Sequence, residues 1–431
     1  MKMTRRLLLL SLAIAPLFAQ DHWVATWAAS PQPRNAPPAG AAAPATPPVG
    51  ATFNDETVRM VVRTSIAGKR IRLRLSNVHG ANALRVGATR VALRSKDSEI
   101  VAGSSREVMF NGKAAVTIPA GSTMISDALD FDAGKLADVA ISLYLPSDTG
   151  SPTMHGTGLH TTYVVKGDQT NAASLADART SNSWYFLAGL DVMAPADAMA
   201  IVAFGDSITD GATSTPNTDH SWPSLLAKRL QASEATSKIA IVNQGISGNR
   251  LLRDGTGSNA LARFDRDVLA QPGVKWVTLM EGINDIGQGT RAGAPAENAV
   301  TLDELIGAQK QFIERAHSAG LKVVGATLTP YEGAAYYSEA GEKIRAALNQ
   351  WIRKAVHGAI TPTTVGGRVE LNNVSVNMAP AQYQVSPDAT TSAQWAKWQG
   401  VSLSAYHNNQ YYVDDIASIQ YIPTMPTITV G

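Results

Sequence analysis

The stretch Met199-Ala200-Ile201-Val202-Ala203-Phe204-Gly205-Asp206-Ser207-Ile208-Thr209-Asp210-Gly211 decides the reading of the fold. Six residues, all of them strongly apolar or alanine, run without a polar interruption into Gly-Asp-Ser. A continuous apolar run bounded by a turn is what a strand buried on both faces requires. The pattern recurs: apolar runs at 239–243, 276–280 and 323–327 alternate with helix-like stretches at 222–231, 260–268, 302–319 and 338–354. Ser221 before Trp222 and Pro223 reads as a helix start, and Gly320 as a helix stop. Residues 196–356 are therefore expected to form an α/β domain, a doubly wound parallel sheet with helices on both faces.

Upstream the period changes to two. Ile71, Leu73 and Leu75 alternate with Arg70, Arg72 and Arg74, and Val139, Ile141, Leu143 and Leu145 alternate with Asp138, Ala140, Ser142 and Tyr144. Such half-buried strands, separated by Gly, Asn, Ser and Asp turns, predict an N-terminal β domain over 21–195, a sandwich or jelly roll. Residues 30–50 hold seven prolines among Ala and Gly and read as a surface loop. At the N-terminus Lys2, Arg5 and Arg6 precede an apolar run from Leu7 to Phe18, with Ala19 as a small residue for cleavage. That is the pattern of a signal peptide over 1–20, too short for a comfortable membrane span, so the mature chain is expected to be secreted or periplasmic with no stable membrane insertion. After Lys354 the helix–strand alternation stops, and 357–431 read as β-rich or irregular.

Composition narrows the chemistry. Of 37 Lys and Arg residues three lie before residue 7, which leaves 34 against 35 Asp and Glu, and no electrostatic case for nucleic acid remains. The chain has no cysteine, so disulfides, thiolate catalysis and cysteine metal sites are excluded. Its eight histidines show no ligand spacing such as HExxH, and no metal or organic cofactor is expected.

Gly205-Asp206-Ser207 alone is a common tripeptide, but its place at the carboxyl end of a parallel strand is where α/β sheets bind ligands. A serine on a sharp turn there can present its hydroxyl to a substrate while its own N–H faces a developing oxyanion. Asn243-Gln244-Gly245-Ile246-Ser247-Gly248-Asn249-Arg250 follows the second strand, and Glu281-Gly282-Ile283-Asn284-Asp285 follows the third. A glycine N–H and an asparagine amide are further candidate donors at adjacent strand ends.

The ordered set GDS, NxGxSG and GxND resembles the SGNH or GDSL hydrolases, a family of esterases and lipases, over about residues 197–354. The resemblance implies Ser207 as nucleophile, with the N–H of Ser207, the N–H of Gly245 and the side chain of Asn284 as oxyanion hole. The preceding β region also looks like the extension carried by some exported members. The family's DxxH block, whose histidine accepts the serine proton, has no match: no histidine here follows an aspartate by three residues.

His22, His79, His155 and His160 fall in the β region and read as structural; His220 lies in the loop after the nucleophile, and His317 on an exposed helix face. Of His357 and His407, the second has the general position of a base, with Asp414 and Asp415 downstream. The stretch 411–416 looks like a strand of a carbohydrate-binding β domain, which raises the reading of a replaced C-terminus. The expected activity is hydrolysis of short-chain, acetyl-type esters, small or on polysaccharides, through an acyl-enzyme on Ser207. The alternative is an impaired hydrolase acting as a carbohydrate-binding module, with Trp184, Trp395 and Trp398 as candidate stacking platforms.

Overall fold

The computed structural model describes residues 21–34 and 48–354 in full, and the backbone of Ala355 and of short strands at Arg368–Leu371, Val374–Asn377, Tyr406–His407, Gln410–Tyr411 and Thr427–Val430. Residues 1–20, where a signal peptide is expected, residues 35–47 of the proline-rich stretch, His357, Trp395 and Trp398 lie outside the described residues.

The period-two region forms two large antiparallel sheets. In one, Asp138–Leu145 is flanked by Glu56–Arg63 and Ala88–Leu93, with Thr162–Lys166, Arg179–Ser181 and Arg106–Glu107 further out. In the other, the order is His22–Ala28, Leu187–Ala194, Gly68–Ser76, Leu129–Ala133, with Thr123–Ile125 beside Gly68–Ser76. Ile71, Leu73 and Leu75 of one sheet share a single apolar core with Val139, Ile141, Leu143 and Leu145 of the other. The alternating arginines are not all solvated as the pattern suggests. Arg72 and Arg74 both bind the buried Asp191, at 2.9 and 3.1 Å, because the neighbouring strand places that carboxylate beside them.

Met199–Gly205 then opens a four-stranded parallel sheet with Ile239–Gly245, Val274–Met280 and Lys322–Gly325, in the spatial order second, first, third, fourth. Six helices accompany it: α1 (Ser207–Asp210), α2 (Trp222–Gln231), α3 (Ala260–Phe264), α4 (Ile283–Thr290), α5 (Leu302–Ser318) and α6 (Glu339–Ala355). Alternate residues of the first two strands face opposite layers. Ala203 and Ile241 pack with Ala227 and Leu230 of α2, while Val202, Phe204 and Val242 pack with Phe264, Phe312 and Leu348 of α3, α5 and α6. The helix expected over 260–268 is two pieces, α3 giving way to a wider turn at Asp265–Leu269, and α4 falls where the sequence showed only a motif. Among the described residues no helix is long and apolar enough to cross a membrane.

The second parallel strand is a sheet edge, and the β region covers it. Ser65 Oγ accepts from Ile241 N at 2.7 Å, so the exposed ladder group is satisfied across the boundary. Ala25 N donates to Pro272 O at 2.9 Å, and Arg74 to Gln271 at 2.7 Å.

Candidate active site

With this strand order, the connections leaving the first and third strands diverge to opposite faces, and the gap at their carboxyl ends is the natural ligand crevice. Ser207 stands there as the first residue of α1. Asp206 caps that turn, its Oδ1 accepting from Ile208 N at 3.0 Å, and Gly211 ends it at φ 91° with its N–H on Ser207 O. Four residues of helix between a capping aspartate and a left-handed glycine hold the serine at the turn's entrance. Among the described residues Ser207 Oγ makes no hydrogen bond.

The three motifs meet through named bonds. Asp210 Oδ2 accepts from both the N–H and the hydroxyl of Ser247, at 2.7 and 2.6 Å, which ties the nucleophile turn to the loop after the second strand. Asn284, in the first turn of α4, donates from Nδ2 to Asn249 O at 2.8 Å, which ties that same loop to the third strand. Its second amide hydrogen remains for a ligand. Asp285 fixes the rest of the loop, accepting from Leu251 N at 2.7 Å and Leu252 N at 3.0 Å.

Gly245, which the resemblance implied as an oxyanion donor, has its N–H engaged within its own loop. Its N–H donates to Asn243 Oδ1 at 2.9 Å, and a Cβ there would overlap the backbone N and Cα of Asp210. It is the closely packed end of a strand, needed so that α1 can rest against the sheet. Gly248, three residues on, has φ 79° and an N–H with no partner among the described residues. It is the glycine in this loop whose N–H can serve an oxyanion.

Beneath the motifs lies a buried charge cluster. Arg263, fully enclosed, donates to Gly205 O, Gln244 O, Asn249 Oδ1, Ser30 Oγ, Asp267 and Glu281, at 2.6 to 3.4 Å, and stacks 3.8 Å over the Phe204 ring. It thereby fastens the ends of the first two strands to α3. Asp206 and Glu281 follow the paired residues Gly205 and Met280, and each keeps one carboxylate oxygen without a partner. Burial pushes the Asp206 carboxyl up to about 7 and raises that of Glu281 well above the usual carboxylate range, each reinforced by the other acids nearby.

The histidines distribute as follows. His155 is buried on Asp210 at 2.9 Å, and His160 on Asp219 at 2.8 Å. His220 and His317 are exposed. His407 lies in the two-residue strand Tyr406–His407, paired with Gln410–Tyr411, and its side chain is outside the described residues. Asp138, His160 and Asp219 bring three ligand atoms within 4.8 Å, but Arg63 already bonds both carboxylates at 3.0 Å and supplies the positive charge. Trp184 is no stacking platform: it is buried, donates to Val61 O at 2.9 Å and lies edge-on to Trp27. A cavity of about 480 Å³ opens beside Ser247, lined by Thr157, Ser181, Ser183, Tyr185 and Thr256 among others.

A serine at the carboxyl end of the first parallel strand, on a turn bonded to the loops after the second and third strands, is the arrangement of a parallel α/β domain with its ligand crevice at the strand ends. Residues 203–362 match the GDSL-like lipase/acylhydrolase family, and the chain carries a domain of that family. Among solved structures it is similar to a lipolytic protein of the G-D-S-L family from Desulfitobacterium hafniense DCB-2, at 26% identity over 36% of this chain and 73% of that one, TM-score 0.27. It is also similar to an acetylxylan esterase from Geobacillus stearothermophilus, at 24% identity over 36% of this chain and 72% of that one, TM-score 0.30. No curated protein matches.

Proposed function

We propose that this protein is an exported serine esterase that removes short acyl groups, acetyl above all, from small or polysaccharide esters. The observation that carries the reading is Ser207 Oγ, unbonded among the described residues, on a turn that Asp210–Ser247 and Asn284–Asn249 tie to the loops carrying Gly248 and Asn284. Ser207 Oγ attacks the acyl carbon and its proton passes to a base. The three donors, counting the N–H of Ser207 itself, stabilise the oxyanion; the alcohol leaves with a proton, and water then releases the acid and regenerates the serine.

We assign the base to His407. The β region, which we read as a sandwich, is the platform that lines the polar cavity beside Ser247. Hydroxyl-bearing walls suit an alcohol portion rich in hydroxyls, and no apolar lid is needed for an acetyl group.

The test is hydrolysis of p-nitrophenyl acetate by the mature chain, with Ser207→Ala and His407→Ala beside it. The expected outcome is a parent rate that both variants lose by about 10³-fold or more, as removal of one triad member does. A parent no faster than Ser207→Ala overturns the esterase reading and brings forward a glycan-binding role. An active parent with undiminished His407→Ala relocates the base. Faster cleavage of long-chain than of acetyl esters overturns the substrate class.

A further inference from the structure

His155 is only 4% exposed, and both of its ring nitrogens face acceptors. Nδ1 lies 3.0 Å from Ser30 O, a carbonyl that can only accept, and Nε2 lies 2.9 Å from Asp210 Oδ1. A neutral imidazole has one N–H, so beside an ionised Asp210 it would leave a nitrogen lone pair against an oxygen lone pair. With Asp210 ionised, a proton therefore stands on each nitrogen. Asp210 Oδ2 already accepts two hydrogen bonds from Ser247, which places the negative charge on the carboxylate and the positive charge on the ring.

This pair joins the two halves of the molecule. His155 ends a strand of the β region, Thr153–His155, whereas Asp210 ends the turn that starts with Ser207. The ring is stacked on Trp184 at 5.7 Å between centroids and 25° between planes, so it cannot rotate away without disturbing that core. Thr157, two residues on, meets Ser247 Oγ at 3.0 Å from the same side.

We propose that His155 is a positioning residue of the esterase site: as an imidazolium it holds Asp210, and through Asp210 it aims Ser247 and the N–H of Gly248 at the oxyanion. The proposal rests on the reading of Ser207 as nucleophile. Ser247 N and Oγ share one carboxylate oxygen, so that oxygen fixes the Ile246–Ser247 peptide and the Ser247 side chain, and with them the Cα from which the next peptide carries the Gly248 N–H. An oxyanion donor displaced by a fraction of an ångström loses much of its worth.

The charged groups around the ring set the sign of its pH dependence. Burial opposes the charge; Asp210, by its charge and its hydrogen bond, and Ser30 O outweigh it; Arg263 opposes weakly from α3; and the pKa is raised above the ordinary histidine value. Arg63, His160 and Asp219 stand across a small shared cavity, with Arg63 and Asp219 paired to each other. A raised pKa means that the clamp is complete below the ordinary value and is lost as pH rises through the raised one.

The test uses the full mature chain and His155→Gln, whose amide can donate to Asp210 but cannot titrate. Histidine ¹⁵N NMR of the parent at pH 7.5 is expected to show one ring with both nitrogens protonated, absent from His155→Gln. The parent's kcat is expected to fall on the alkaline side as that signal titrates. His155→Gln should lose about 10- to 100-fold in kcat with KM nearly unchanged, and should lack that alkaline fall. A variant with the parent's kcat and the parent's alkaline fall overturns the proposal, as does a neutral His155 in an active parent. No turnover in a parent that does show the imidazolium defeats the esterase reading while the His155–Asp210 clamp itself stands.

Discussion

Asp206 does two jobs with one carboxylate. One oxygen caps the turn that carries Ser207; the other is buried beside Glu281 with nothing to bind unless one of the two acids keeps its proton. Because its folded pKa, about 7, lies above the unfolded value, the folded state binds more protons than the unfolded chain between about pH 4 and pH 7, and stability falls as pH rises through that window. Asp206→Asn preserves the cap and offers an N–H to Glu281. Denaturant titrations at pH 4 and pH 7 should show the variant losing at least about 1 kcal/mol less than the parent across that interval. Equal losses would mean that the shared proton is not there. The same residue scale separates Gly245 from Gly248: one glycine is required by a neighbouring backbone, the other by a left-handed φ of 79°.

At the scale of elements, α3 is the part on which the site depends, although it touches no substrate. Its Arg263 reaches acceptors on six residues, Ser30, Gly205, Gln244, Asn249, Asp267 and Glu281, and is wholly enclosed, with Asp267 and Glu281 as its charge partners. Removing one member of a buried pair leaves the other charge uncompensated, which costs about 3–5 kcal/mol. Arg263→Met is expected to lower unfolding free energy by that order in urea, whereas a loss under 1 kcal/mol would show that water or Arg266 replaces the guanidinium. Helix α5 illustrates the opposite case, an element secured locally. Thr301 and Glu304 form a reciprocal cap at its start, and that pattern is visible in four consecutive residues.

At the scale of the molecule, the two halves are bonded as one body. Ala25 and Ala28 of the first β strand share a core with Phe204 and Val242, while Ala200 and Ala240 share the core of the β region. With Arg74–Gln271, Ser65–Ile241 and His155–Asp210 also crossing the boundary, neither half completes its own burial. Calorimetry of the mature chain is expected to give one transition with calorimetric and van't Hoff enthalpies in agreement. Two resolved transitions would show that the boundary is weaker than its bonds suggest.

The parallel sheet, the β region before it and Ser207 at the end of the first parallel strand were legible in the sequence because each rests on short-range pattern. Apolar runs, period-two alternation and a capped turn are set by neighbours within a few residues. The sequence also led toward Gly245, since a glycine after a strand looks alike whether it serves packing or an oxyanion. Only the tertiary structure engaged the N–H of Gly245 and left that of Gly248 without a partner among the described residues, set Arg72 and Arg74 on the buried Asp191, and joined His155 to Asp210 across 55 residues. Those choices depend on which surfaces two separately patterned units bury against each other, and a buried polar group takes whatever partner that burial brings within reach.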